Sequence, residues 1–214
     1  TIYAITVRPN GKILIGGNFG AYKTLAGYNL LAQLNSDGTI DTGFMNTAID
    51  GKLFYSLTES VRSIAAQSDD KLLFGGNFTY NTTHYALVRL NADYTIDTTF
   101  QSNATFDIND TINAIKIQPN GQILVGGDII NYKGTTGRNY LVRLNPDGTT
   151  DTSFCVNATD GKFNGPVQSI DVRDDGKIYI TGSFTDYNGV TGRSRVIRLN
   201  SDGTTDTSFC VAGV

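Results

Sequence analysis

A chain of 214 residues with 17 basic and 20 acidic side chains carries a formal net charge of −3 and only 17% charged residues, too little basic character for a nucleic-acid surface. At 39% hydrophobic it is not a disordered chain either. Twenty-four glycines and a single glutamate, Glu59, beside abundant Thr, Asn, Ile and Tyr point to strands and turns and away from helices. No apolar run approaches the length that crosses a bilayer, so membrane insertion is not expected, and the opening TIYAITVRPNGK lacks the charged start and apolar centre of a signal peptide.

In chain order, the first predicted element is a strand at residues 1 to 8, followed by Asn10–Gly11, which supplies the left-handed backbone angles of a tight hairpin turn. The next run, ILIGG, is apolar on both parities and suits a strand buried on both faces, with closing glycines that let another backbone approach. A polar loop leads to a third strand ending in QLN, and SDGTIDTGF then offers a turn and room for a short fourth strand. The order returns three times. SIAAQSDDKLLFGGNF begins at Ser63, AIKIQPNGQILVGGDI at Ala114 and SIDVRDDGKIYITGSF at Ser169, while the closing motif reads RLNADYTIDTTF, RLNPDGTTDTSF and RLNSDGTTDTSF. The motif's last residues are Phe44, Phe100, Phe154 and Phe209, so the period is about 55 residues, that of a propeller or similar array.

Four short antiparallel strands per period, without helical spacing, predict an all-β fold: a β-propeller of four four-stranded blades in one domain, 1–214, with repeats near 1–44, 61–100, 112–154 and 167–209. The closing DTSFCVAGV is placed to complete the sheet begun at residues 1 to 8; failing that, the four blades belong to a larger ring. Cys155 and Cys210 each follow a TSF tripeptide, hence sit at equivalent places in successive repeats and are expected as free thiols.

With GGNF, RLNxDG and DTxF in place over essentially the whole chain, the sequence resembles the delta-sixty repeat family, β-propeller-like repeats of unestablished function, and more distantly kelch repeats, whose tryptophan is missing. It departs from the pattern at Tyr94, which replaces the turn glycine, at Thr181, which replaces the first glycine of the pair, and at Asp128–Ile129. The resemblance implies a setting in large surface or secreted bacterial proteins or phage virions, as a tail, fibre or head-decoration part. It implies no activity.

NxDGxxD suggests a calcium loop, but calcium loops begin on an acid and end on a bidentate Glu, whereas here the leading position holds Gln33, Arg89, Arg143 or Arg198 and no Glu follows. A turn made by Asn, Asp and Gly explains the motif without a cofactor, its second Asp capping amides at a blade corner and its Phe anchoring between blades. His84, the only histidine, has no acidic neighbour in sequence, and the acids outside the repeat (Asp50, Glu59, Asp107, Asp110, Asp160, Asp186) sit in loops where solvation is the default. The expectation is a non-catalytic scaffold and interaction module, with a lectin-like carbohydrate- or receptor-binding propeller as the alternative and glycan hydrolysis behind both.

Tyr22, Tyr80, Tyr132 and Tyr187 recur four or five residues after the glycine pair and read as packing residues. The non-recurring Lys23, Tyr28, His84, Lys133, Arg138 and Arg193, with Phe54 and Tyr55 in a longer loop, are the candidate partner contacts. Expected partners are other structural proteins, a further copy of the chain, or a surface glycan or receptor, in an extracellular setting on a virion or bacterial surface.

Overall fold

A computed structural model describes residues 1–22, 25–26, 29–44, 53–54, 59–80, 83–107, 109–130, 132–134, 139–155, 163–188, 190–191 and 194–209. The first unit comprises β1 (Ile2–Val7), β2 (Ile13–Gly17), a ribbon of β3 (Ala21–Tyr22) and β4 (Leu25–Ala26), β5 (Leu31–Leu34) and a helical turn α1 (Thr42–Phe44). The second holds β6 (Leu53–Phe54), β7 (Ser60–Ala66), β8 (Leu72–Tyr80), β9 (Thr83–Leu90) and α2 (Thr98–Asn103). The third is β10 (Thr111–Ile117), β11 (Ile123–Asp128) and β12 (Leu141–Leu144), and the fourth β13 (Val167–Val172), β14 (Ile178–Gly182), the ribbon β15 (Asp186–Tyr187) and β16 (Val190–Thr191), and β17 (Val196–Leu199). Each unit is an antiparallel sheet in the order first, second, third strand, and β6 adds to the far end of β8. The all-β fold of four blades is therefore as expected.

The expected fourth strand is reduced to one bridged pair per blade, Leu34 with Ile40, Leu90 with Ile96, Leu144 with Thr150 and Leu199 with Thr205. The reason is the aspartate that follows. Asp97 caps α2, its Oδ1 accepting the Phe100 amide at 3.1 Å, and so turns the chain off the sheet one residue after the bridge. Asp151 and Asp206 take the amide and hydroxyl of Ser153 and Ser208 in the same way. Residues 210–214, expected to close the ring, lie outside the described residues, as does Cys210; Cys155 is in no disulfide, its Sγ lying 3.8 Å from the Tyr187 hydroxyl and from the Gly203 carbonyl oxygen.

The core lies between blades. Leu14, Leu31 and Phe44 of the first pack on Val61, Ile64 and Phe74 of the second, and equivalent clusters fill the next two junctions. The two glycines that end each second strand have different causes. At Gly17, Gly76, Gly127 and Gly182 a Cβ would collide with the carbonyl of Thr1, Ser60, Thr111 or Pro166, where the chain enters the inner, first strand of the same blade. At Gly16, Gly75 and Gly126 it would collide instead with the next blade's Val61 and Ile64, Ile112 and Ile115, or Val167 and Ile170. One glycine builds the blade and the other joins it to its neighbour.

Candidate ligand-binding site

Every inner strand carries a register shift near its start, between Ile2 and Ala4, Val61 and Ser63, Ile112 and Ala114, and Val167 and Ser169. The extra residue of such a bulge is unpaired in the ladder and its side chain is re-aimed. These residues are Tyr3, Arg62, Asn113 and Gln168, and together they line one open cavity of about 440 Å³ where the four blades meet. Arg62 Nη1 donates to Asn113 Oδ1 at 3.0 Å and its Nε to Ser60 Oγ at 3.1 Å; Asn113 Nδ2 donates to the Val167 carbonyl at 3.0 Å, and Gln168 Nε2 to Ser183 Oγ at 3.0 Å. A guanidinium, two amides and a phenol thus face one space with no carboxylate among the lining residues, an arrangement suited to hydroxyl and carboxylate acceptors on a ligand.

Sequence reasoning passes over these four. The available signal is the one position that changes chemical class inside a frame that otherwise only exchanges Ile with Val and Ala with Ser: Ile-Tyr-Ala-Ile, Val-Arg-Ser-Ile, Ile-Asn-Ala-Ile and Val-Gln-Ser-Ile. A position free to differ in a motif that otherwise repeats is under no common packing demand.

The RLNxDG corner, in contrast, spends its polar atoms on itself. Asp37, Asp93, Asp147 and Asp202 each accept the hydroxyl and amide of the threonine two residues on, and that hydroxyl bond above all holds their carboxyls below the usual range. Asp97, Asp151 and Asp206 pair with Arg89, Arg143 and Arg198 at 2.8, 2.7 and 2.8 Å, while those guanidiniums lie 4.0, 4.3 and 4.8 Å from the ring centres of Phe100, Phe154 and Phe209. Arg89 also reaches the next blade at Pro146 O, 2.5 Å away, and Arg143 does so at Ser201 O. The first blade swaps the pair, Arg8 donating to Gln33 at 2.8 Å where Arg89 and Arg143 donate to Gln67 and Gln118. Tyr94, standing in the glycine's place at φ 67°, packs edge-on against Phe44 at 5.1 Å and accepts from Arg8 at 2.9 Å. Among the described residues no group of three or more His, Cys, Asp or Glu is placed to hold a metal ion.

Of the loop residues expected to meet a partner, Lys23, Tyr28, Tyr55, Arg138 and Arg193 lie outside the described residues, and Phe54 is described through its backbone, paired with Thr79. Lys133 is exposed, at φ 51°, with Nζ donating to the Asn103 carbonyl and 5.5 Å from the Tyr132 ring centre. His84 stands across from Thr79 in the β8–β9 ladder, and Thr79 Oγ1 donates to Glu59 Oε1 at 2.7 Å, so the only histidine and the only glutamate come to one corner of blade two. Tyr22 and Tyr80 are described through their backbones alone, and the packing expectation holds for the other two: Tyr132 and Tyr187 are buried, and Tyr187 donates to the Gly203 carbonyl at 2.7 Å. Asp110 is not solvated as expected but buried, its carboxylate accepting the Asp107 and Ile130 amides at 2.9 and 3.2 Å; burial pushes its pKa up.

Four blades about a common cavity define a β-propeller repeat protein. The chain belongs to the family described as a domain of unknown function (DUF5122) β-propeller, whose model matches residues 8–44, 67–100, 118–154 and 173–209. No curated protein matches it. Among solved structures it is similar to a gluconolactonase from Xanthomonas campestris, at 13% identity and a TM-score of 0.56 over 94% of this chain and 59% of that one. A second structure assigned as a gluconolactonase gives 17% identity and a TM-score of 0.52 over 94% and 60%. The extracellular domain of a one-component system from B. thetaiotaomicron gives 15% and 0.52 over 92% and 21%. The chain thus spans about three fifths of the gluconolactonase chains and a fifth of the sensor. The expectation of a non-catalytic chain is corrected by the two gluconolactonases, which place enzymes on the architecture it shares; the likeness at such identities is one of fold.

Proposed function

We propose that this propeller is an extracellular recognition module, carried on a virion or bacterial surface, that binds a surface glycan in the cavity lined by the four bulge residues. The observation that carries the reading is the convergence of Tyr3, Arg62, Asn113 and Gln168, four unlike polar side chains delivered to one place by a repeated bulge. An aromatic ring for stacking on a sugar, amides for hydroxyls and a guanidinium for a carboxylate form a complete set for an acidic saccharide. The setting is supported by the habit of the delta-sixty repeats the chain resembles, and by the extracellular domain among its structural likenesses.

The test is a glycan array on the intact chain, followed by titration of the strongest hit. Arg62→Ala should weaken binding at least tenfold with a nearly unchanged melt, because Arg62 is exposed, and Asn113→Ala severalfold with a loss of about 1 kcal/mol from its bond to the Val167 carbonyl. Hits that survive both substitutions at full affinity would place recognition elsewhere.

A further inference from the structure

Among the described residues, β1 is the inner strand whose Ile2, Ile5 and Val7 no blade covers. Its Ile2 and Ile5 occupy the positions of Val61 and Ile64, Ile112 and Ile115, and Val167 and Ile170. Those six are at most 9% exposed, whereas Ile2 is 48% and Ile5 66% exposed, with Val7 beside them at 64%. A contiguous apolar strand face of this kind marks an interaction surface.

We propose that the β1 face is a docking surface for one further blade of the same repeat, presenting a glycine pair at the end of its second strand, and that the opposite face of the array is closed to this mode of packing. The chemistry of the occupant is given by the molecule itself. At three junctions the Ile or Val pair seats on the first glycine of the preceding blade, where an added Cβ would come to 2.5–2.6 Å of the nearest methyl group. Ile2 and Ile5 are the same pair in the same register, so the surface that fits them is a glycine at that position.

The fourth blade cannot supply it. Its residue at that place is Thr181, which is exposed, and the glycine that the blade needs for its own inner strand, Gly182, is retained. Only the joining glycine is lost. Closure of blade four onto β1 within one chain, and head-to-tail stacking of a second copy, both bring a β-branched side chain to the point where the three seen junctions admit no Cβ. The array therefore accepts a neighbour in one direction.

Two arms test this on the full chain, with Cys155 and Cys210 replaced by serine and a reporter thiol introduced by Ile5→Cys. In the first, residues 60–110 are duplicated ahead of Thr1, so that Asp110 leads into Thr1 as it naturally leads into Thr111. Labelling of the reporter by a bulky maleimide should slow at least tenfold, and Gly75→Val in the added blade should restore the fast rate. A folded fusion that labels as fast as the parent overturns the proposal.

The second arm does not depend on the fusion folding. Thr181→Gly restores the joining glycine, and this variant should form concentration-dependent head-to-tail oligomers in sedimentation, with the reporter protected, while the parent stays monomeric and reactive. A Thr181→Gly monomer with a protected reporter has closed blade four onto β1 through the same glycine seat and supports the proposal, whereas one that stays monomeric with its reporter still reactive overturns it. So does a parent chain already protected by self-association, which would make a second copy the occupant, or a parent whose reporter is exposed only on deletion of residues 210–214, which would make its own tail the occupant.

Discussion

Replacing Asp97 by asparagine tests whether the blade corner holds by charge. Asp97 Oδ2 accepts from Arg89 Nε and Nη2 at 3.1 and 2.8 Å and from Lys71 Nζ at 3.1 Å, and Oδ1 accepts the Phe100 amide. Burial alone would push its pKa up; the Phe100 amide, Lys71 and Arg89 outweigh that and bring it from 3.8 to about 2. A carboxyl with a depressed folded pKa gives stability that is complete above its unfolded value and is lost as pH falls toward the folded one. A difference of just under two units corresponds to about 2.5 kcal/mol, present above roughly pH 5 and mostly gone by pH 2. The asparagine of Asp97→Asn would still accept the amide but leaves Arg89, whose side chain is 6% exposed, without its counter-charge. The expected loss at pH 7 is about 3 kcal/mol, at the low end for a buried ion because Arg89 keeps Pro146 O and the Phe100 face. Urea melts of both proteins from pH 7 to pH 2, followed by circular dichroism, should show the gap closing by about 2 kcal/mol, nearly all of it below pH 5. A gap that is constant over this range, or absent at pH 7, refutes an electrostatic corner.

Gly126→Val forces a side chain to within 2.5 Å of Val167 and 2.9 Å of Ile170 and should cost about 3 kcal/mol in a urea melt, whereas Thr181→Ala, at the corresponding place in the last blade, should stay within about 0.5 kcal/mol. Equal costs at the two sites would show that the first glycine is needed by the blade and not by the junction. Tyr94→Gly relieves a positive φ, worth about 1 kcal/mol, but removes the contact with Phe44 and the hydrogen bond from Arg8; a net loss of about 1–2 kcal/mol is expected, and a stabilised variant would mean that strain outweighs the contacts.

Features that recur are legible in the sequence because each is a local solution made four times. Asp147 and Thr149 turn the chain by themselves, and Gly127 is required by the strand it pairs with, so neither depends on distant residues. The fourth strand is over-read because Thr150 and its neighbours have strand character, and only the capping by Asp151 stops the ladder after one pair. The site escapes sequence reasoning for a different reason: a bulge has no composition of its own, and Tyr3, Arg62, Asn113 and Gln168 share nothing but a position. Asp110 and Glu59 read as solvated because only Asp107 near Asp110 engages either of them locally, while Ile130 and Thr79 reach them from distant segments.

The two glycines and the bulge are linked by geometry. The second glycine leaves room for the carbonyl of the residue that opens the inner strand, and the register shift begins one residue later, so the tight approach at Gly76 or Gly127 and the aim of Arg62 or Asn113 arise from one local distortion. Filling Gly127 would therefore disturb the cavity as well as the blade, while filling Gly126 would disturb the junction and leave the bulge intact. The same geometry ties the docking face to the site. A blade seated on Ile2 and Ile5 carries its own bulge residue to the place beside Tyr3, now at the open edge of the cavity, and the identity of that residue would complete the ligand's surroundings. Four blades thus fix the position of the cavity, and its chemical character is set by the few positions that the repeat leaves free.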